Sequence, residues 1–157
     1  MSINKGISVW LSIEDGKNKG KIVLQKRSSK NKTFFYVCQG TWAGKVEAGE
    51  NLKAAIKREC KEELGKEFFY KFNFSELKLF AKGNFFVNKK KCACYNYLGT
   101  VSRKILETAI IHKEALPKFI IAGKKDKFYP IKSGKDPKNN IVFFDDQYQV
   151  VKKFKWN

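Results

Sequence analysis

The stretch Gly44-Lys45-Val46-Glu47-Ala48-Gly49-Glu50, running on through residues 51–57 into Arg58-Glu59-Cys60-Lys61-Glu62-Glu63-Leu64-Gly65, decides how this chain is read. Leu52, Ala55, Ile56, Cys60 and Leu64 recur at helical spacing and form one apolar stripe, which predicts an amphipathic helix over 51–64. Gly65 is its expected stop. Glu59 and Glu63 stand four apart and share a face, with Glu62 beside them. Carboxylates gathered so closely repel unless positive charge lies among them. Two sources fit. One is nearby lysine on an ordinary solvated face. The other is a hard divalent cation such as Mg²⁺, which prefers oxygen ligands and keeps waters and substrate phosphates in its shell.

Working outward, residues 8–13 and 21–27 read as two antiparallel strands around the turn cluster 14–20. Residues 33–38 form a short apolar segment leading to Gly40. Beyond the helix, residues 77–80, 85–87 and 92–101 read as strands, with the polar run 88–91 as a hairpin-like break. Residues 105–111 are a further candidate strand, and 113–117 a turn. Residues 122–140, rich in Lys, Gly and Pro, read as a basic surface insertion. The apolar run 141–144 precedes Asp145-Asp146, a suitable N-terminal cap for a closing helix to about Phe154. Mixed strands with two helices make an α+β chain. With no repeat or linker, residues 1–157 are expected to be a single domain.

Composition narrows the function classes. A chain of 157 residues with 43% hydrophobic residues can bury a core and is not a disordered tail. No apolar stretch approaches the roughly 20 residues of a membrane span, so a soluble cytoplasmic protein without membrane partners is expected. Four cysteines (Cys38, Cys60, Cys92, Cys94), none in a C-x-x-C pair, and one histidine are too few and too scattered for zinc, and read as reduced, buried thiols. The net charge of +18, from 33 Lys+Arg against 15 Asp+Glu, attracts polyanions such as nucleotides, RNA or DNA. Lysine is spread along the whole chain, so the charge favours an anionic partner without choosing one.

Gly44, Glu50, Arg58, Glu59, Glu62, Glu63 and Gly65 stand at the spacing of the Nudix box, and the stretch resembles it closely. Cys60 fills an aliphatic slot, whereas Lys66 departs from the final aliphatic residue. The resemblance, to the Nudix hydrolases and their MutT-like members, implies an α/β/α sandwich with a mixed central sheet and a loop–helix–loop. It implies Mg²⁺ as cofactor, with Mn²⁺ an alternative, held by Glu59 and Glu63, with Glu62 alongside or through water and the Ala43 carbonyl completing the site. Glu50 and Arg58, after the box glycine Gly44, would brace the loop, and Lys45 would meet a phosphate.

Residues 110–117 are similar to the strand and turn that follow the catalytic glutamate in many family members. Ser102-Arg103-Lys104 stand where that glutamate usually lies. Glu107, Glu114 and the helix residue Glu62 are therefore the candidates for the base. His112, the single histidine, reads as structural, although general-base chemistry is open to it. Residues 143–148 are similar to the C-terminal region of 8-oxo-dGTP-cleaving relatives, which implies Asp145 and Asp146 at a purine edge and Phe144 against the base. Capping by Asp145 and packing by Phe144 are the plainer alternative. Trp42 and Phe35 are further candidates for the pocket wall, although aromatic residues near the box more often belong to the core.

The activity implied is hydrolysis of a diphosphate bond, foremost in a nucleoside triphosphate of the 8-oxo-dGTP/dNTP kind. Nucleotide sugars, dinucleoside polyphosphates and the 5′ end of RNA (a decapping-type reaction) are alternatives, the last favoured by basic runs such as Lys89-Lys90-Lys91. A non-catalytic RNA- or nucleotide-binding domain is the non-enzyme alternative, and the full set of box glutamates argues against it. Many relatives form homodimers.

Overall fold

The computed structural model describes residues 4–28, 34–87 and 89–156. Its strands are β1 (Asn4–Ile13), β2 (Ile22–Lys26), β3 (Cys38–Gln39), β4 (Trp42–Lys45), β5 (Lys78–Val87), β6 (Lys90–Val101), β7 (Ile120–Ala122), β8 (Phe128–Pro130) and β9 (Ile141–Phe143). Its helices are α1 (Leu52–Lys71), α2 (Arg103–Leu106) and α3 (Asp145–Val151). The strands run in the order β5-β6-β1-β2-β3-β9-β8, with β4 added on β1 and β7 on β2. β1 is parallel to β6 but antiparallel to β2 and β4, so the sheet is mixed.

Side-chain alternation along β1 explains the layers. Ile7, Val9 and Leu11 face a core shared with Ala55, Ile56, Cys60, Leu64 and Phe68 of α1. Trp10 faces the other side, where Val150 and Val151 of α3 pack with Phe143. Helices therefore cover both faces of the sheet, and the α+β assignment is met.

β1 changes partners midway. Gly6–Val9 pair with Lys45–Trp42, while Leu11 and Ser12 pair with Val23 and Ile22. The fully buried Thr41 bridges the fork: its hydroxyl accepts from Leu11 N at 3.0 Å and donates to Val23 O at 2.7 Å. A side-chain hydroxyl there replaces ladder bonds that the diverging strands cannot make.

The helix expected over 51–64 is present, capped by the Asn51 side chain, which accepts from Ala54 N at 2.8 Å. At Gly65 the backbone adopts φ 84, ψ 167, a conformation essentially reserved for glycine. The helix stops there, then resumes to Lys71 in a new direction. That turn lays Phe68 and Phe72 against Trp42, at ring separations of 6.1 and 5.5 Å. Lys66, the departure from the box, is exposed and leaves no hole in the core.

Several expectations need correction. Residues 105–111 are no strand: Ser102 Oγ accepts from Ile105 N and Asp15 Oδ1 from Arg103 N, which caps α2, and the chain then runs as a loop. Their apolar residues Ile105, Leu106, Ala109 and Ile111 pack against the α1 core instead. Residues 78–80 and 85–87 belong to one continuous strand, β5, and Leu77 stands just before it. The stretch 122–140 is not simply a surface insertion, since Ala122 is fully buried and β8 pairs in parallel with β9. The cap of α3 is Phe144, without a side-chain bond, so Asp145 and Asp146 lie inside the first turn. Among the described residues, no helix is long and apolar enough to cross a membrane.

Candidate active site

The buried stripe of α1 seats the helix on the sheet, and this turns Glu59, Glu62 and Glu63 toward one cleft. Arg58 ties the preceding loop to the helix. Its Nε and Nη2 donate to Glu50 at 2.9 and 3.0 Å, and Nη2 donates to Lys45 O at 2.8 Å. Its Nη1 donates to Glu59 Oε1 at 2.7 Å. Two parallel bonds from a planar guanidinium fix direction as well as distance. Glu50 also accepts from Glu47 N at 3.0 Å, and the Arg58 bond is the main cause that holds its carboxyl below the usual carboxylate range.

Gly44 carries the closest fit in the site. A Cβ at this position would lie 2.2 Å from Glu59 Cδ, so the Glu59 carboxylate occupies the space a side chain would take. Glu63 is only 6% exposed. Its Oε1 accepts from Gln25 Nε2 at 3.3 Å and Gln39 Nε2 at 3.4 Å, and its Oε2 from Ala43 N at 3.4 Å. Burial, followed by the neighbouring Glu59, pushes the Glu63 carboxyl well above the usual range. Helix end and loop are joined by backbone bonds from Ile110 N to Leu64 O and His112 N to Glu63 O, both 3.0 Å. They take up carbonyls that the break at Gly65 leaves without helical partners. They also set the His112 ring with Nε2 at 2.9 Å from Gln25 Oε1 and 3.6 Å from Glu63 Oε1. Burial lowers the His112 pKa, against the opposing pull of Glu114.

These groups line a cleft of about 350 Å³, together with Arg27, Ala115 and Glu114. The last is brought in by an added edge on β2: Ser28 N donates to Glu114 O at 2.9 Å, Leu116 N to Lys26 O at 2.8 Å, and Arg27 bridges to Ala115.

The donor set suits a hard divalent cation, being carboxylates with a backbone carbonyl nearby and no thiolate. The cradle that Gly44 leaves for Glu59, and the buried Glu63 carboxylate with Glu59 beside it, fit a cation between α1 and β4. Among the described residues, no three such side chains already converge as a finished ligand shell. Glu59 holds Arg58, and Glu62 is largely exposed, 3.5 Å from the same guanidinium.

The NUDIX domain family profile matches residues 4–108. The chain belongs to the Nudix family. As a Nudix hydrolase it acts on pyrophosphate bonds; the family acts on nucleotide substrates and generally uses divalent metal ions. No curated protein matches it significantly by sequence. Solved structures similar in fold include DR0079 from Deinococcus radiodurans, with 15% identity, TM-score 0.57, and 97% of this chain and 83% of that one covered. A MutT protein from Methanosarcina mazei Go1 shares 20% identity at TM-score 0.56, covering 76% of each chain. A Nudix hydrolase from Nitrosomonas europaea shares 12% at TM-score 0.58, covering 96% and 87%. These likenesses concern the fold.

Within this Nudix site, the expected residues divide. Ala43, Gly44, Glu59, Glu62, Glu63 and Glu114 line the cleft, and Glu50 with Arg58 stands behind the loop. Trp42 does not line it: its side chain is fully buried among Phe68, Phe72 and Phe74, and its Nε1 donates to Ile56 O at 2.9 Å. Alternation along β4 turns this residue to the core while Ala43 lines the cleft. Glu107 is exposed, 3.8 Å from Arg103 and outside the cleft lining. Lys45 is exposed and contributes its carbonyl to Arg58.

Phe144 is reached through Arg27, whose guanidinium lies 5.8 Å from the ring, and it meets the exposed Phe34 at 5.1 Å. Phe35 is exposed beside Phe34. Asp145 is exposed and accepts from Lys132 N at 3.3 Å, while Asp146 is half-buried, its carboxyl pushed up by burial. Neither aspartate lines the cleft. Gln25, Arg27 and Gln39 were missed. Alternation places Gln25 and Arg27 on one face of β2, but nothing local says that this face looks onto α1.

Proposed function

We propose that this Nudix hydrolase is a nucleoside triphosphate pyrophosphohydrolase that uses Mg²⁺, or Mn²⁺, and releases a nucleoside monophosphate and pyrophosphate. The observation that carries the proposal is the cleft itself, with box carboxylates on one wall and Glu114 and Arg27 on another. Glu59, Glu62 and Glu63, with the Ala43 carbonyl, would hold the cation. Bound there, a divalent cation supplies charge neutralisation of the diphosphate and a more acidic water.

The chain's own groups do the rest. Arg58 and Glu50 hold the box loop against α1, and Gly44 gives Glu59 its place. Glu114 accepts the proton of the water that attacks phosphorus, as the bridging P–O bond breaks and pyrophosphate leaves. Arg27 is the cation that faces substrate phosphate, and Phe144 with Phe34 forms an aromatic wall for the base. Asp146, at the start of α3, is the candidate to read the purine edge.

A substrate panel with Mg²⁺ tests this: nucleoside triphosphates including 8-oxo-dGTP, a nucleotide sugar, a dinucleoside polyphosphate and RNA with a 5′ triphosphate or cap. Turnover of RNA alone would replace the triphosphate reading. Glu114→Gln is expected to lower kcat by about 10²–10⁴-fold with metal affinity unchanged. An unchanged kcat removes Glu114 from the role.

A further inference from the structure

Glu63 is a buried carboxylate in a strongly basic chain, yet the donors on it are neutral. Gln25 and Gln39 bond one oxygen and the Ala43 backbone N–H the other. Arg58, the arginine on α1, is directed instead to Glu50, Glu59, Glu62 and Glu47.

Gln25 is itself only 1% exposed, and its amide has no freedom of orientation. Thr41 O, 2.6 Å away, can only accept, so the Gln25 nitrogen must face it. The amide oxygen is then left to accept from His112 Nε2 at 2.9 Å, so a proton must sit on Nε2. Held from both ends by groups outside α1, Gln25 offers its second N–H to Glu63. Gln39, opposite Gln25 on the neighbouring strand β3, donates its own amide N–H to the same oxygen at 3.4 Å.

We propose that Gln25, seconded by Gln39, is a positioning clamp for Glu63, fixing the carboxylate by neutral bonds so that its negative charge stays available to a cation. It rests on the reading of Glu63 as a metal ligand. A lysine at position 25 would neutralise the charge and compete with the cation. An apolar side chain would leave a buried carboxylate short of donors. A primary amide avoids both, because it orients without compensating, and hydrogen bonds of this kind set ligand geometry.

The test is Mn²⁺ affinity of the full chain without substrate, read from the electron paramagnetic resonance signal of free Mn²⁺. Gln25→Leu is expected to weaken binding by about 10–100-fold. Placed on Glu63→Gln, the same change is expected to cause no further loss, since the group it positions is gone. A purely structural role would weaken binding equally in both backgrounds, and that result, or unchanged affinity in folded Gln25→Leu, overturns the proposal. Should Gln25→Leu fail to fold by circular dichroism, the less buried Gln39→Leu decides: a smaller loss that vanishes on Glu63→Gln supports the clamp, and unchanged affinity overturns it. Failure of the parent chain to bind Mn²⁺ would instead overturn the metal reading itself.

Discussion

Replacing Gly44 by alanine isolates the contact on which the site closes. The added Cβ would stand 2.2 Å from Glu59 Cδ and 2.3 Å from Oε1. Carbon atoms settle at about 3.5–4.0 Å, so the carboxylate must withdraw by roughly 1.5 Å. The main chain has no reason to object, because Gly44 lies outside the left-handed region that favours glycine. The displaced group is tethered to Arg58 at 2.7 Å, and Arg58 to Glu50 and Lys45 O, so the movement spreads into the loop brace. Misplacing a catalytic group by about 1 Å costs on the order of 10²-fold. Gly44→Ala is therefore expected to lose about that factor in kcat/KM for pyrophosphate release at fixed Mg²⁺. It is also expected to bind Mn²⁺ more weakly and to keep the parent's circular dichroism spectrum. A variant as active as the parent, with the same melting temperature, would refute the placement of Glu59 at the reaction centre.

Two further outcomes follow from the same geometry. The folded-state pKa of Glu63 is raised above its ordinary 4.5, chiefly by burial and then by Glu59, so the folded chain holds a proton that the unfolded chain releases. Metal-free stability should thus fall as pH rises from the ordinary carboxylate range through the raised folded value. Glu63→Gln should remove that slope, melt higher than the parent in neutral metal-free buffer, and gain less from added Mg²⁺. A lower melting temperature for this variant under those conditions would contradict the assignment. Gly65→Ala should cost about 1–3 kcal/mol in denaturant unfolding, because φ 84, ψ 167 is open to glycine almost alone. Space is not the cause, since a Cβ would sit at an ordinary 3.6 Å from Ile110. An unchanged midpoint would show that the break at Gly65 is not needed.

Much of the active-site helix is legible in the residue order because its determinants are local. The period of Leu52, Ala55, Ile56, Cys60 and Leu64 and the stop at Gly65 both act within a few residues. The Arg58–Glu50 brace is expected only through the resemblance to the Nudix box, and the structure forms it. Where local signals conflict, reading fails. Residues 105–111 carry enough apolar side chains for a strand, yet Ser102 and Asp15 cap a helical turn, and the α1 core takes their side chains. Trp42 looks like a pocket aromatic next to the box, and only the pairing of β4 with β1 turns it inward.

By itself, the sequence determined the acidic helix face, which depends on residue types at short fixed spacing, and, through its resemblance to the Nudix box, the family and the class of bond that this resemblance implies. Tertiary structure alone decided what stands opposite that face. Gln25, Gln39, His112 and Glu114 come from separate segments, and long-range sheet register brings them to one carboxylate and one cleft. Register is set by which faces are buried across the whole sheet, so no window of neighbouring residues contains it.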